Sequence, residues 1–465
     1  MKTLKLFLGC LFFATTLNAQ TIEWLTPTSK SDFSQVIWDE EDDFYTVSSK
    51  LTRFENKVKV AEEKLVFNLP TGKGYVFKGV LLNGNLVLIF IQIEKTIDRF
   101  YYQVYDKQCK PVGGPVLIGE YMNEDKKQPR GLFSVMLSPS KMFALFEYKK
   151  VKFNKENNQI LYKVINSDFA VELEGVCNIP KTLCNSIITD GGKYLIGIAE
   201  YKKDEQGEST GLLESYQLKI FQKGEESELE LDLSEKSYFN FKIFNPTSNQ
   251  LVLFGVYNNG NDKVNSYCFS IIDLLKNKEI KRLHCNPKLN AKSEYIRDVN
   301  IDTDSSLIVL VEEFFIKNSD SGQAFHYKTA VVFKIKNDGQ EEWVVTIPKH
   351  QWALNDGGVE GSLCGYFLNN KYYLFFNDHQ NNYKETGEYL NPKEIAIYGG
   401  LVIKRRFAKV EIDLKSGEFN RSLMLEAEDH SLWAISQNFE LNYRRGEMFT
   451  YFMNNKEVRY GLIKF

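Results

Sequence analysis

At eight places along the chain a short turn rich in Asn, Asp, Gly, Pro, Ser or charge opens into an apolar run. The turns are Glu41-Asp42-Asp43, Asn83-Gly84-Asn85, Ser138-Pro139-Ser140-Lys141, Asp190-Gly191-Gly192-Lys193, Asn245-Pro246-Thr247-Ser248, Asp302-Thr303-Asp304-Ser305, Asn369-Asn370-Lys371 and Arg444-Arg445-Gly446. Successive markers from Asn83 to Asn370 lie 52 to 66 residues apart, with the drift falling in loops. The runs that follow, such as 86–90, 142–146, 194–199, 307–311 and 372–376, are apolar at nearly every position rather than at alternate ones. A strand of that kind has to be covered on both faces. Further on, a Tyr-rich third strand (101–105, 161–165, 216–221, 267–272, 330–335, 407–412) and a tight turn such as Asn337-Asp338-Gly339 lead to a fourth. Helical periodicity is confined to 273–278.

This pattern predicts an all-β chain folded as a single β-propeller of four-stranded antiparallel blades, where each blade's neighbours supply both covers. Ile22-Glu23-Trp24-Leu25-Thr26-Pro27 reads like the fourth-strand segment Glu342-Trp343-Val344-Val345-Thr346-Ile347-Pro348, and the C-terminal 458–465 reads like a third strand. The last blade therefore lacks a fourth strand, and the N-terminal strand is expected to supply it. Such closure also removes an exposed sheet edge. The count is eight blades if the divergent module at 33–69 is complete, and seven if it is an incomplete extension. The units Ser138-Pro139-Ser140-Lys141-Met142-Phe143 and Thr189-Asp190-Gly191-Gly192-Lys193-Tyr194-Leu195 resemble the turn-plus-strand repeats of TolB-type and WD-type propellers. The likeness touches only some six residues per blade, and the Gly-His and Trp-Asp pairs of true WD repeats are missing.

Lys2 and Lys5, the apolar stretch 6–14 and Leu17-Asn18-Ala19 read as an export signal over 1–19, leaving 20–465 as the propeller. The periplasm, the cell surface or the extracellular space is the expected location. No transmembrane segment is expected, since a span needs about 20 apolar residues. The net charge of −3 with no basic tract argues against nucleic acid as a partner. Phe 34 and Tyr 25 against Pro 11 suit many aromatic strands.

Cys268 and Cys285 lie symmetrically about Lys276-Asn277, so a hairpin turning there would place them opposite each other as a disulfide. The other reading is two buried thiols. Cys177 and Cys184, flanking Pro180, are a second candidate pair. Asp302, Asp304, Ser306 and Glu313 match positions of a calcium loop, but the loop Gly is absent and an apolar strand intervenes. No metal and no cofactor are expected.

The polar cluster most suggestive of a site is His350, Trp352, Asp356 and Glu360 in the loop entering the penultimate blade, with Asp378, His379 and Tyr383 after its second strand. In propeller topology these loops emerge on one face. Acidic residues at second-strand ends (Glu94, Glu147, Glu200, Glu312, Glu313, Asp378) read either as strand ends charged because they meet water or as a ring of carboxylates on that face. No linear catalytic signature occurs. The expected function is an exported, non-catalytic propeller binding a protein or glycan partner through this face. The alternative is a carbohydrate-active propeller enzyme, a glycosidase or lyase, using Asp378, His379 and His350 near the central mouth.

Overall fold

A computed structural model describes residues 22–24, 28–29 and 35–465, apart from short stretches of which the longest are 67–73, 123–130, 151–157, 259–264, 286–293, 355–360, 400–404 and 425–431. Among the described residues the regular structure is strand, apart from 3-10 conformation at Gln380–Asn382 and at Ser436. The short helical stretch expected at 273–278 is a hairpin turn instead, because the Asp273 carboxylate accepts from the N–H groups of Leu275 and Lys276 and so caps a tight reversal.

The strands form eight antiparallel sheets in chain order, spanning 35–64, 75–122, 132–179, 182–230, 237–285, 294–347, 363–423 and 433–464. We number these blades 1 to 8. The divergent first module is a complete blade of four strands, Gln35–Trp38, Phe44–Val47, Lys50–Glu55 and Val58–Lys64, which makes the count eight. Blade 8 is closed as the termini predict. Ile22, Glu23 and Trp24 pair antiparallel with Ile463, Leu462 and Gly461, and Thr28–Ser29 continue along the same final strand.

The core lies between blades, not within them. In Asn85–Ile93, the second strand of blade 2, Leu86, Leu88 and Phe90 join a cluster with blade 1, while Val87, Ile89 and Ile91 join a cluster with blade 3. Period-two alternation thus becomes an unbroken apolar run because both faces are covered. Six such clusters each fill one junction, and a seventh runs through blades 7, 8 and 1, with Ile22 packed against it.

Polar links bridge the same junctions near the axis. Gln35 exchanges both amide bonds with the Gly79 backbone, Lys78 donates to Val135 O, Asn185 bonds the Ile243 backbone, and Lys242 donates to Ile296 O. Lys149 reaches Ser186, Tyr372 donates to Asp298, Tyr366 donates to Phe439 O, and Glu440 accepts from the Trp38 N–H. Several of these residues follow a bulge: the register of first strand against second slips at Val76/Lys78, Leu183/Asn185 and Ile296/Asp298. A bulge re-aims the side chain after it, here toward the neighbouring blade.

A bulge also overturns the expected Cys268–Cys285 bridge. The register slips between Ile271 and Ile272, so Cys268 lies opposite His284 and Cys285 opposite Tyr267. A slip of one residue sends a side chain to the other face: Cys268 packs toward blade 4 and Cys285 toward blade 6, both as free thiols. Cys177 is also a free, buried thiol, and the side chain of Cys184 lies outside the described residues. Burial pushes the Cys268 thiol up to about 12 and raises Cys285 as well, so neither forms thiolate near neutrality. Peptide mapping without reductant is expected to return both cysteines unlinked and alkylated only after unfolding; a linked 268–285 peptide would contradict this register.

Candidate functional site

The residues that the sequence places on one face separate into a buried clamp and a half-open platform. The clamp centres on Asp378, at the end of the second strand of blade 7 and 1% exposed. Its Oδ1 accepts from the His379 N–H at 2.8 Å and Asn382 Nδ2 at 2.8 Å, and its Oδ2 accepts from Tyr383 Oη at 2.6 Å and from the Arg421 guanidinium. Arg421 also donates to Tyr383 Oη and to Pro348 O, with its guanidinium 4.0 Å from the centre of the Tyr389 ring. The neighbouring anion more than offsets burial and raises the guanidinium's proton affinity, while burial beside Asp378 lifts the Tyr383 phenol well above its usual range. Every lone-pair direction of this carboxylate is taken, so Asp378 fastens the 380–399 segment to blade 7 and is not poised for acid–base work. His379 is engaged in the same local fold, its Nδ1 accepting from the Asn381 N–H at 3.1 Å.

The platform belongs to blade 6. Its second and third strands, Leu307–Ser319 and Gly322–Ile335, run well beyond the stretches that the apolar pattern marks. The overhang pairs with Gln351–Leu354, which pairs in parallel with Tyr398–Gly399. One register row across these strands is Phe315, His326, Trp352 and Gly399. Phe315 and His326 stack at 4.7 Å and 12°, and His326 and Trp352 lie at 6.4 Å and 24°. Gly399 makes room for the indole, since a Cβ there would stand 2.5 Å from Trp352 Cδ1. His350 Nε2 lies 3.4 Å from His326 Nδ1, and the Lys328 ammonium sits 5.1 Å from the centre of the Phe315 ring.

Alternation fixes which face is open. Phe315, His326, Lys328 and Trp352 are half-buried, whereas Tyr327, Gln351 and Ala353 on the reverse face are buried. Gln351 accepts from the buried Lys349 ammonium at 2.7 Å and donates to Asn377 O at 2.9 Å; Lys349 in turn pairs with Glu312. These bonds, with Arg421 holding Pro348 O, set where His350 and Trp352 stand. Burial and the nearby Lys328 charge lower the His350 imidazole to about 4, and burial lowers His326 too, so both rings are neutral at physiological pH.

Asp356 and Glu360 lie outside the described residues. Besides Asp378, two of the acidic second-strand ends lie inside the protein. Glu147 and Glu312 are fully buried, the first bonded to Ser134, Tyr194 and Lys149, the second to Arg297 and Lys349. They pin strands and blades together rather than lining a mouth. Asp302 and Asp304 hold the Lys334 ammonium at 2.9 and 3.1 Å, an inter-strand contact where the sequence shows calcium-like spacing. Sequence reasoning missed Phe315, His326 and Arg421. The alternation of Phe325, His326, Tyr327 and Lys328 upstream of the apolar 330–335 carries the signal that the hairpin is longer than its neighbours.

No protein-family model matches the chain, and no curated protein matches it. Among solved structures it is similar to the WD40 domain of SCAP from fission yeast, at 10% identity and TM-score 0.41, over 96% of this chain and 95% of that one. It is also similar to the β-propeller domain of the Trilobed protease from Pyrococcus furiosus, at 11% identity and TM-score 0.39 over 83% and 93%. Prolyl oligopeptidase B from Galerina marginata aligns at 9% identity and TM-score 0.43, over 93% of this chain and 55% of that one. At these values the likeness concerns the propeller fold and carries nothing about activity.

The clamp makes a prediction that separates structure from chemistry. Asp378→Asn strands a buried guanidinium and is expected to cost about 3–5 kcal/mol of stability in urea unfolding. His379→Ala, which gives up one local bond, is expected to cost only about 1 kcal/mol. Equal, small effects would place Asp378 outside the framework.

Proposed function

We propose that the protein is an exported, non-catalytic propeller that holds a glycan on the platform of blade 6. The observation that carries this reading is the row Phe315, His326 and Trp352, three half-buried rings presented by a sheet extension whose reverse face is built into the core. Such a row offers a flat apolar surface to the C–H face of a sugar ring. Around it, imidazole and indole N–H groups and the Lys328 ammonium are placed to meet hydroxyls, the mixture of apolar floor and few polar groups common in ligand sites. Because His326 and Trp352 stand on strand segments paired on both sides, little ordering cost remains at binding. Glycoside hydrolysis in most families uses a pair of carboxyl groups flanking the bond; Asp378, the carboxylate nearest this role in sequence, is spent on Arg421, Tyr383 and Asn382. Export rests on the leader-like sequence of residues 1–19.

A glycan panel with the purified mature protein tests this. Trp352→Ala and Phe315→Ala are each expected to weaken capture at least about tenfold, equivalent to about 1.4 kcal/mol, with the melting temperature nearly unchanged. His379→Ala is expected to bind as the parent does. Capture that survives Trp352→Ala, or capture of proteins but no glycan, contradicts the proposal. The pH profile follows from His350. Its proton affinity in the fold lies below the ordinary 6.5, so the stability it lends is complete above that pH and is lost as pH falls through about 4. In the folded protein the ring takes up its proton only as pH approaches about 4, so affinity is expected to be flat from pH 8 through about 6.5 and to fall only near pH 4, readable by calorimetry.

A further inference from the structure

We infer that the central channel holds a second, separate binding site, which takes a small organic anion bearing a carboxylate between Lys78, Lys141 and Glu440. The site is a cavity of about 420 Å³ walled by the first strands of blades 1, 2 and 3 and by Glu440 of blade 8. That volume lies within the about 300–1,000 Å³ of ordinary small-molecule pockets. First strands end their sheets, so their outer edges carry backbone N–H and C=O groups that no further strand pairs, and these face the axis. The wall is rigid: the Gln35 amide is bonded at both ends to Gly79, where a Cβ would stand 2.3 Å from Ile37 Cδ1.

The charge in this cavity is unbalanced. Lys78 spends one N–H on Val135 O at 3.1 Å and keeps two; Lys141 adds a second ammonium. The one acid among the lining residues is Glu440, which accepts from the Trp38 N–H and feels the charges of Lys141 and Lys78, yet burial still pushes it up to about 7. Burial lowers Lys78 as well. The lining therefore sets two lysine side chains against one carboxyl whose proton burial helps retain, and an anionic ligand both offsets the lysines and accepts the Glu440 proton in a hydrogen bond. Elsewhere in the ring the corresponding cation is already matched, since Lys242 shares its junction with Asp298. The site shares no residue with the blade 6 platform and stands or falls independently of it.

Isothermal titration with D-glucuronate, acetate and inorganic phosphate, with D-glucose as the neutral control, tests the assignment. One equivalent of glucuronate or acetate is expected to bind, glucose to give no heat, and Lys78→Met and Lys141→Met each to weaken binding at least about tenfold. Lys141 sits in a half-exposed turn, so that variant keeps the test valid should Lys78→Met fail to fold. Affinity is expected to fall about tenfold from pH 6 to pH 8 as the protonated share of Glu440 declines, and Glu440→Gln to flatten that dependence. Trp352→Ala is expected to leave this binding intact. No heat with either carboxylate, binding of phosphate alone, or unchanged affinity in both lysine variants overturns the inference.

Discussion

The pairing of Ile22–Trp24 with the chain's last strand turns eight sheets in a row into a ring. A row would end in two uncovered blades, each with an apolar face meant for a neighbour, and in an open sheet edge. Closure removes both, because the cluster spanning blades 7, 8 and 1 leaves no junction without a core. Each fully buried aliphatic or aromatic side chain in such a cluster contributes about 1.5–3 kcal/mol, so the ring is held mainly by apolar contact. The polar links near the axis decide how one blade is set against the next. They matter by direction more than by strength, since a hydrogen bond adds only about 1 kcal/mol net while a wrongly set blade leaves a buried donor unpaired.

Much of the architecture is legible in the sequence because it rests on local chemistry. Turn residues and apolar runs mark the second strands, and the Trp24 segment repeats the pattern of the Trp343 segment closely enough to show which strand it replaces. What the sequence hides are one-residue slips. The bulge at Ile271/Ile272 leaves no compositional trace, yet it sends Cys285 to the opposite face from Cys268. The bulges before Lys78, Asn185 and Asp298 are equally silent and determine which side chains reach across junctions.

The candidate site shows a second limit of sequence reading. His350, Trp352, Asp378 and Tyr383 do lie near one another along blades 6 and 7, but proximity is not a shared role. Asp378 and Tyr383 go inside because Arg421, on a strand 43 residues after the first and 38 after the second, meets them there. His350 and Trp352 stay half-open because they extend a hairpin whose other members, Phe315 and His326, come from strands with no loop-like composition. Long-range partners of this kind decide whether a polar residue is framework or surface, and they follow from the fold rather than from any motif. The same holds for Glu440, an unremarkable acid in sequence that burial beside Lys78 and Lys141 turns into a group titrating near neutrality.

Hydrogen exchange on the intact chain bears most directly on circular closure. If the ring is zipped as described, amides of Ile22–Trp24 and Glu457–Lys464 exchange slowly and open together as one unit. Residues 22–24 exchanging at the rate of an unstructured peptide, while the final strand stays protected, would show that the terminus does not complete blade 8.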